Sequence, residues 1–136
     1  MTVMPATWMR LLLKLSPLVL VTGAAAVWFN HVQDGGPYVL RNLLPPTLLV
    51  LLAFITLWRG NGRWTGAGWK LPLATVGFAM PALGLSLYLH YAYAVNLNDM
   101  FGDAIQPGQL FRFLPAYTLF AAAIGATIGW TVGRNI

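Results

Sequence analysis

The chain has 136 residues, 58% hydrophobic and 8% charged, with a formal net charge of +5 from eight Lys and Arg against three acidic residues. Soluble domains carry roughly 25% charged residues, so this composition excludes a water-facing surface and with it a soluble globular fold. The absence of Cys excludes disulfides, thiolate nucleophiles, Cys-held zinc or iron–sulfur clusters and c-type haem attachment. The basic excess has a membrane explanation, retention of Lys and Arg on the cytoplasmic side. No basic run is long enough for a nucleic-acid footprint. The expectation is an all-α integral membrane protein, residues 1–136 forming a single four-helix transmembrane domain.

Crossing the hydrocarbon takes about 20 apolar residues in a helix. Four charge-free runs meet this: 19 residues between Lys14 and Asp34, 17 between Arg41 and Arg59, 28 between Lys70 and Asp99, and 21 between Arg112 and Arg134. They predict spans over 11–32, 43–58, 71–94 and 112–133, helical because backbone groups in lipid must bond within their own segment. Arg10, Lys14 and Ala24-Ala25-Ala26 resemble a signal peptide, but the segment reads as the first span.

Arg10, Lys14, Arg59, Arg63, Lys70 and Arg134 fall on one side with no acid among them, whereas Arg41, Arg112, Asp34, Asp99 and Asp103 fall on the other. Positive-inside logic makes the six basic residues cytoplasmic anchors and puts both termini in the cytoplasm, in a bacterial inner membrane. Trp8, Trp58, Trp64, Trp69 and Trp130 gather at the basic side. Trp28 and the five tyrosines Tyr38, Tyr88, Tyr91, Tyr93 and Tyr117 gather at the other.

Between spans three and four, Leu97, Met100, Phe101, Ala104 and Ile105 recur at i, i+3, i+4, i+7, i+8, with Asn96 placed to cap and Pro107-Gly108 to stop. This predicts a short amphipathic helix over about 97–106 on the outer surface. Asn98, Asp99 and Asp103 there lack the calcium-loop pattern of the EF-hand. Pro45-Pro46 fit the first turn of span two. The loop from Arg59 to Lys70 holds glycines at 60, 62, 66 and 68. It matches neither the P-loop nor the dinucleotide fingerprint and reads as a flexible basic turn near anionic lipid.

Two tandem hairpins are also suggested. Lys14-Leu15-Ser16-Pro17 and Lys70-Leu71-Pro72 open the outward spans, His31 and His90 end them, and Leu44-Pro45 and Leu114-Pro115 open the return spans. Span four places Ala121, Gly125, Gly129 and Gly133 at every fourth position, the spacing of a glycine zipper and a face for close helix approach. Span three offers Gly77, Pro81, Gly84, Tyr88 and Tyr91 at heptad-like spacing, small residues in the inner half and Tyr in the outer, with a kink expected at Pro81. The partner of either face is not readable from spacing.

No carboxylate lies inside a hydrocarbon run, although ion-coupled carriers and proton relays generally need an intramembrane ionisable group. In size and helix count the chain resembles the small multidrug transporters, but they depend on a membrane-embedded Glu and this chain has none. Ser86 and His90 share a face at i, i+4 without an orienting carboxylate, so no catalytic residue is assigned. His31, His90, Tyr88 and Tyr91 form the one candidate ligand or headgroup site. They read as interfacial hydrogen-bonding residues, as a quinone or lipid headgroup site, or as haem ligands if both histidines face one cavity. No cofactor and no metal are expected beyond that.

The expected function is therefore a small non-catalytic membrane subunit that packs into a larger complex or homo-oligomer, in an accessory, scaffold or assembly role. Its partners would be the lipid bilayer and other subunits or copies of itself, with no nucleic acid. A small oligomeric transporter, channel or lipid-handling protein is the alternative, and a quinone- or haem-binding electron-transfer subunit using His31 and His90 the second.

Overall fold

The computed structural model describes residues 5–32, 38–95 and 109–136. The predicted surface helix at 97–106 and all three aspartates lie outside the described residues. The elements run α1 (Pro5–Val32), α2 (Val39–Asn42), α3 (Leu44–Arg59), α4 (Lys70–Ala79), a π-helical turn (Met80–Leu85), α5 (Ser86–Ala94) and α6 (Gln109–Arg134). Among them are four helical stretches long and apolar enough to cross a membrane: Thr7–Val32, Val39–Arg59, Lys70–Ala94 and Arg112–Arg134. Each coincides with the greater part or the whole of one charge-free run.

The second stretch starts earlier than its sequence suggests. Leu43 keeps helical dihedrals, and Leu43 N–H bonds the Val39 carbonyl at 3.1 Å while Thr47 N–H bonds the Leu43 carbonyl at 3.0 Å. The single turn α2 therefore runs almost directly into α3 around Pro45 and Pro46, which lack the amide protons that would have joined the two. At the other end, α3 closes in a Schellman motif. Gly62 N–H reaches back to the Leu57 carbonyl at 2.8 Å, Asn61 N–H to the Trp58 carbonyl at 3.2 Å, and Asn61 takes the left-handed conformation at φ 54°. Gly62, at φ +84°, continues the turn where an added Cβ would lie 3.2 Å from both the Thr7 carbonyl oxygen and the Arg10 side chain, so the loop packs on α1.

The third stretch differs from a regular helix at Pro81. Proline has no N–H for the carbonyl four residues back, and its ring crowds that carbonyl. The chain answers with one wide turn over Met80–Leu85, the form such interruptions take as π-bulges. The extra residue rotates everything beyond it by about 100°, one residue's share of a turn. The buried positions then run Ala82, Ser86, His90, while Tyr88 and Tyr91 are 54% and 51% exposed. The predicted face Gly77, Pro81, Gly84, Tyr88, Tyr91 is thus broken in the middle.

The interior is built from small and branched residues. At the basic end Leu11 and Leu15 of α1 pack on Ala53 and Leu57 of α3. Deeper in, Leu49, Ala82 and Ala122 meet from three stretches, with Leu18 of α1 packed against them. The buried seam of α1 is Leu11, Leu15, Leu18, Thr22, Ala25, Phe29, spaced alternately four and three, as in a coiled-coil face. Between α3 and α4 the hydroxyls of Thr56 and Thr75 lie 2.9 Å apart and buried, each also near its own i−4 carbonyl. Two hydroxyl protons serve three close oxygen pairs there.

Candidate functional site

The closest contact in the bundle is between α4 and α6, which run antiparallel. A Cβ on Gly77 would collide with the carbonyl oxygen of Gly125, and one on Gly125 with the carbonyl of Gly77. Gly129 faces the Leu73 carbonyl and Gly133 the backbone of Trp69 and Lys70 in the same way. The stripe on span four therefore meets span three of the same chain, backbone against backbone, as close helix pairs in lipid do through small residues. Ala121 is half-buried at the far end of the stripe, and its neighbour Ala122 is fully buried. Gly84 does not join this contact: it is exposed, and a Cβ there would meet open space. The π turn between Gly77 and Gly84 carries it off the face.

Six of the eight basic residues gather at one end of the bundle. Arg10 and Lys14 lie in the first turns of α1, Arg59 closes α3, Arg63 sits in the loop, Lys70 opens α4 and Arg134 ends α6. The Lys70 ammonium stands 5.5 Å from the centre of the Trp130 ring, joining the start of α4 to the end of α6. The loop amides are occupied internally. The N–H groups of Gly60, Gly62, Gly66 and Gly68 bond the carbonyls of Thr56, Leu57, Arg63 and Thr65, so the loop is a folded turn with no ring of amides aimed at an anion.

The four candidate ligand residues separate. His90 is fully buried, stacked on Phe29 of α1 at 3.7 Å between ring centres and 9° between planes, with Trp28 at 6.2 Å. Its Nδ1 lies 2.8 Å from the Ser86 carbonyl. A carbonyl only accepts, so Nδ1 carries the proton. His31, Tyr88 and Tyr91 are exposed. The structure thus places one histidine inside and the other three residues outside. Among the described residues no group of three or more His, Cys, Asp or Glu could hold a metal ion.

One concavity was not anticipated. A cleft of about 590 Å³ lies between α1 and α4, walled by Pro17, Leu18 and Val21 on one side and by Pro72, Val76 and Ala79 on the other, with Leu49 of α3 at its floor. It exists because α1 packs on α3 and α5 while α4 packs on α3 and α6, leaving the first and third stretches apart at the basic end. From Trp69 to Leu83, both in its lining, it follows about 21 Å of helix rise. Lys14, Trp64, Thr65 and Trp69 frame its basic end. Below them the lining is apolar save Thr75, whose hydroxyl is turned to Thr56. The volume is within the range of about 300–1,000 Å³ typical of small-molecule sites. A hint lay in the sequence: Pro17 and Pro72 each follow a Lys by two or three residues, the very similarity that suggested tandem hairpins, and both prolines line the cleft.

No family model, curated protein or solved structure matches the chain.

Proposed function

We propose that the chain is a non-catalytic, lipid-handling membrane protein whose cleft between α1 and α4 takes an acyl chain of an anionic lipid. The carrying observation is the form of the cleft: an apolar channel opening sideways from helices long enough to cross a membrane, with one cation and two indoles at its basic end. Indoles favour the headgroup level of a bilayer, and a Lys there attracts anionic headgroups. The positive-inside rule turns this end to the cytoplasm, with both termini cytoplasmic and the membrane a bacterial inner one.

The test is lipid retention. The purified chain in nanodiscs of mixed phosphatidylglycerol and phosphatidylcholine, released into a mass spectrometer, should carry one phosphatidylglycerol. Filling the cleft with Val21→Phe and Ala79→Phe together should remove it. Lys14→Gln should keep a bound lipid but lose the headgroup preference. Equal retention by the wild type and the filled variant would overturn the reading.

A second reading, the accessory or scaffold subunit of a complex or homo-oligomer, keeps one observation. Where α4 meets α6, a groove of about 400 Å³ that shares Leu73 and Val76 with the cleft is lined by Gly77, Gly125 and Gly129 and by Met80, Ile128 and Val132. A helix of a second copy would seat there. Ile128→Cys, in a chain otherwise free of Cys, should then form a disulfide dimer in membranes, and a wholly monomeric product would end this reading.

A further inference from the structure

The second candidate site is polar, buried and independent of the cleft. Hydroxyls in a helix ordinarily donate to a carbonyl three or four residues back. Ser16, Thr47, Thr56, Thr75, Thr127 and Thr131 do so here. Three hydroxyls depart from the pattern. The oxygens of Thr22, Ser86 and Thr118 are buried and have no hydrogen-bond partner among the described residues. Ser86 is 1% exposed and Thr118 0%.

These three lie at one depth. Ala82, Ala122 and Leu49 touch, with Leu18 packed on them. Ser86 is four residues beyond Ala82, Thr118 four before Ala122 on an antiparallel helix, and Thr22 four beyond Leu18. Each is therefore one helical turn, about 5.4 Å, to the same side of that apolar layer and on the same helix face as its neighbour in it. One further turn outward stand His90 and Leu114, and Phe29, two turns beyond Thr22 on α1, stacks on His90; all three are fully buried. The side below is apolar, His90 and Phe29 stack above, and Ala25 and Ser86 between them are small and buried. The level also begins immediately beyond the π turn, and such turns are frequent at functional sites.

We infer that Thr22, Ser86 and Thr118 form a binding site for one water molecule, which bridges α1, α5 and α6 in the half of the bundle away from the basic end. Unbonded hydroxyls in a dry interior are costly. Buried waters typically settle where two to four polar groups converge, and three unpartnered hydroxyls stand at this level on neighbouring helices. A water is both donor and acceptor, so each hydroxyl can give or take one bond. Helices that otherwise meet at this level through Ala and Ser then gain a common polar tie.

The test uses the full chain in bilayers. In solid-state NMR with polarisation transferred from water, Ser86 and Thr118 should receive signal on the timescale of bound water, while the back-bonded Thr127, which faces away from the bundle core, stays dark. A dark Ser86 and Thr118 overturn the site, whatever the variants do. Ser86→Ala and Thr118→Val should each lower the melting temperature by several degrees, and the pair should lower it little further, because either change already breaks the bridge. Hydroxyls without a guest give the opposite sign: both substitutions would raise the melting temperature, and that too overturns the site.

Discussion

The imidazole of His90 lies flat against the ring of Phe29, 3.7 Å between centres and 9° between planes. The stack ties α1 to α5 at the end of the bundle where the first and third stretches converge. The Nδ1–H bond to the Ser86 carbonyl at 2.8 Å fixes the ring orientation.

A double-mutant cycle of Phe29→Leu and His90→Leu, followed by reversible unfolding in mixed micelles, should give a coupling of about 0.5–1.5 kcal/mol, the size found for aromatic pairs beyond their area. Strict additivity would show that the rings merely lie together. Nitrogen-15 shifts of the imidazole should report Nδ1 as the protonated nitrogen in neutral His90.

The glycines of α4 and α6 should respond oppositely from others in the chain. Gly125→Ala or Gly129→Ala inserts a methyl into a facing carbonyl and should cost about 1–3 kcal/mol in the same unfolding assay, the range for overpacking. Gly23→Ala meets nothing within 4 Å. In the interior of α1 it should stabilise by about 0.5–1 kcal/mol through lower chain entropy.

Asn61 occupies the left-handed position of a helix cap. Asn61→Gly should be neutral or slightly stabilising. Asn61→Val should cost about 1–2 kcal/mol, since a β-branched residue bears the full penalty of that conformation. Equal stability of the two variants would mean the cap does not hold the loop to α1.

Pro81→Ala restores an amide proton where the π turn now lies. The turn should tighten towards a regular helix and rotate residues beyond it by about 100°. Spin labels placed singly at Tyr88→Cys and His90→Cys should report this. With Pro81 present, position 88 is reached by oxygen dissolved in the lipid and position 90 is not. Pro81→Ala should narrow that difference.

The four stretches were legible because charge is so costly in hydrocarbon that eleven charged positions mark the ends of each run. What meets the stripe of span four was not legible. Spacing declares a narrow face but says nothing of what fills it, and Gly77 with Leu73 fills it from within the chain. The burial pattern beyond Pro81 was not legible either: heptad counting carries straight through Pro81, whereas the backbone takes in one more residue there, so that Ala82, Ser86 and His90 are buried and Tyr88 and Tyr91 exposed. The seam Leu11 to Phe29 was present in the sequence at alternating four and three. It was hidden because α1 is apolar on every side, lipid being as good a neighbour for Leu as another helix is. The cleft was invisible for a different reason, since a gap between two helices follows from which third helix each one packs on.

The cleft between α1 and α4 opens sideways, and this decides how anything reaches it. On the proposed function, a guest would arrive by sliding within one leaflet, never having crossed water. Its effective concentration is then a mole fraction of the surrounding lipid, and occupancy follows the make-up of the membrane. The protein would respond to a change in bilayer composition at constant amounts of protein and lipid, and dilution of the aqueous phase would leave it as it was.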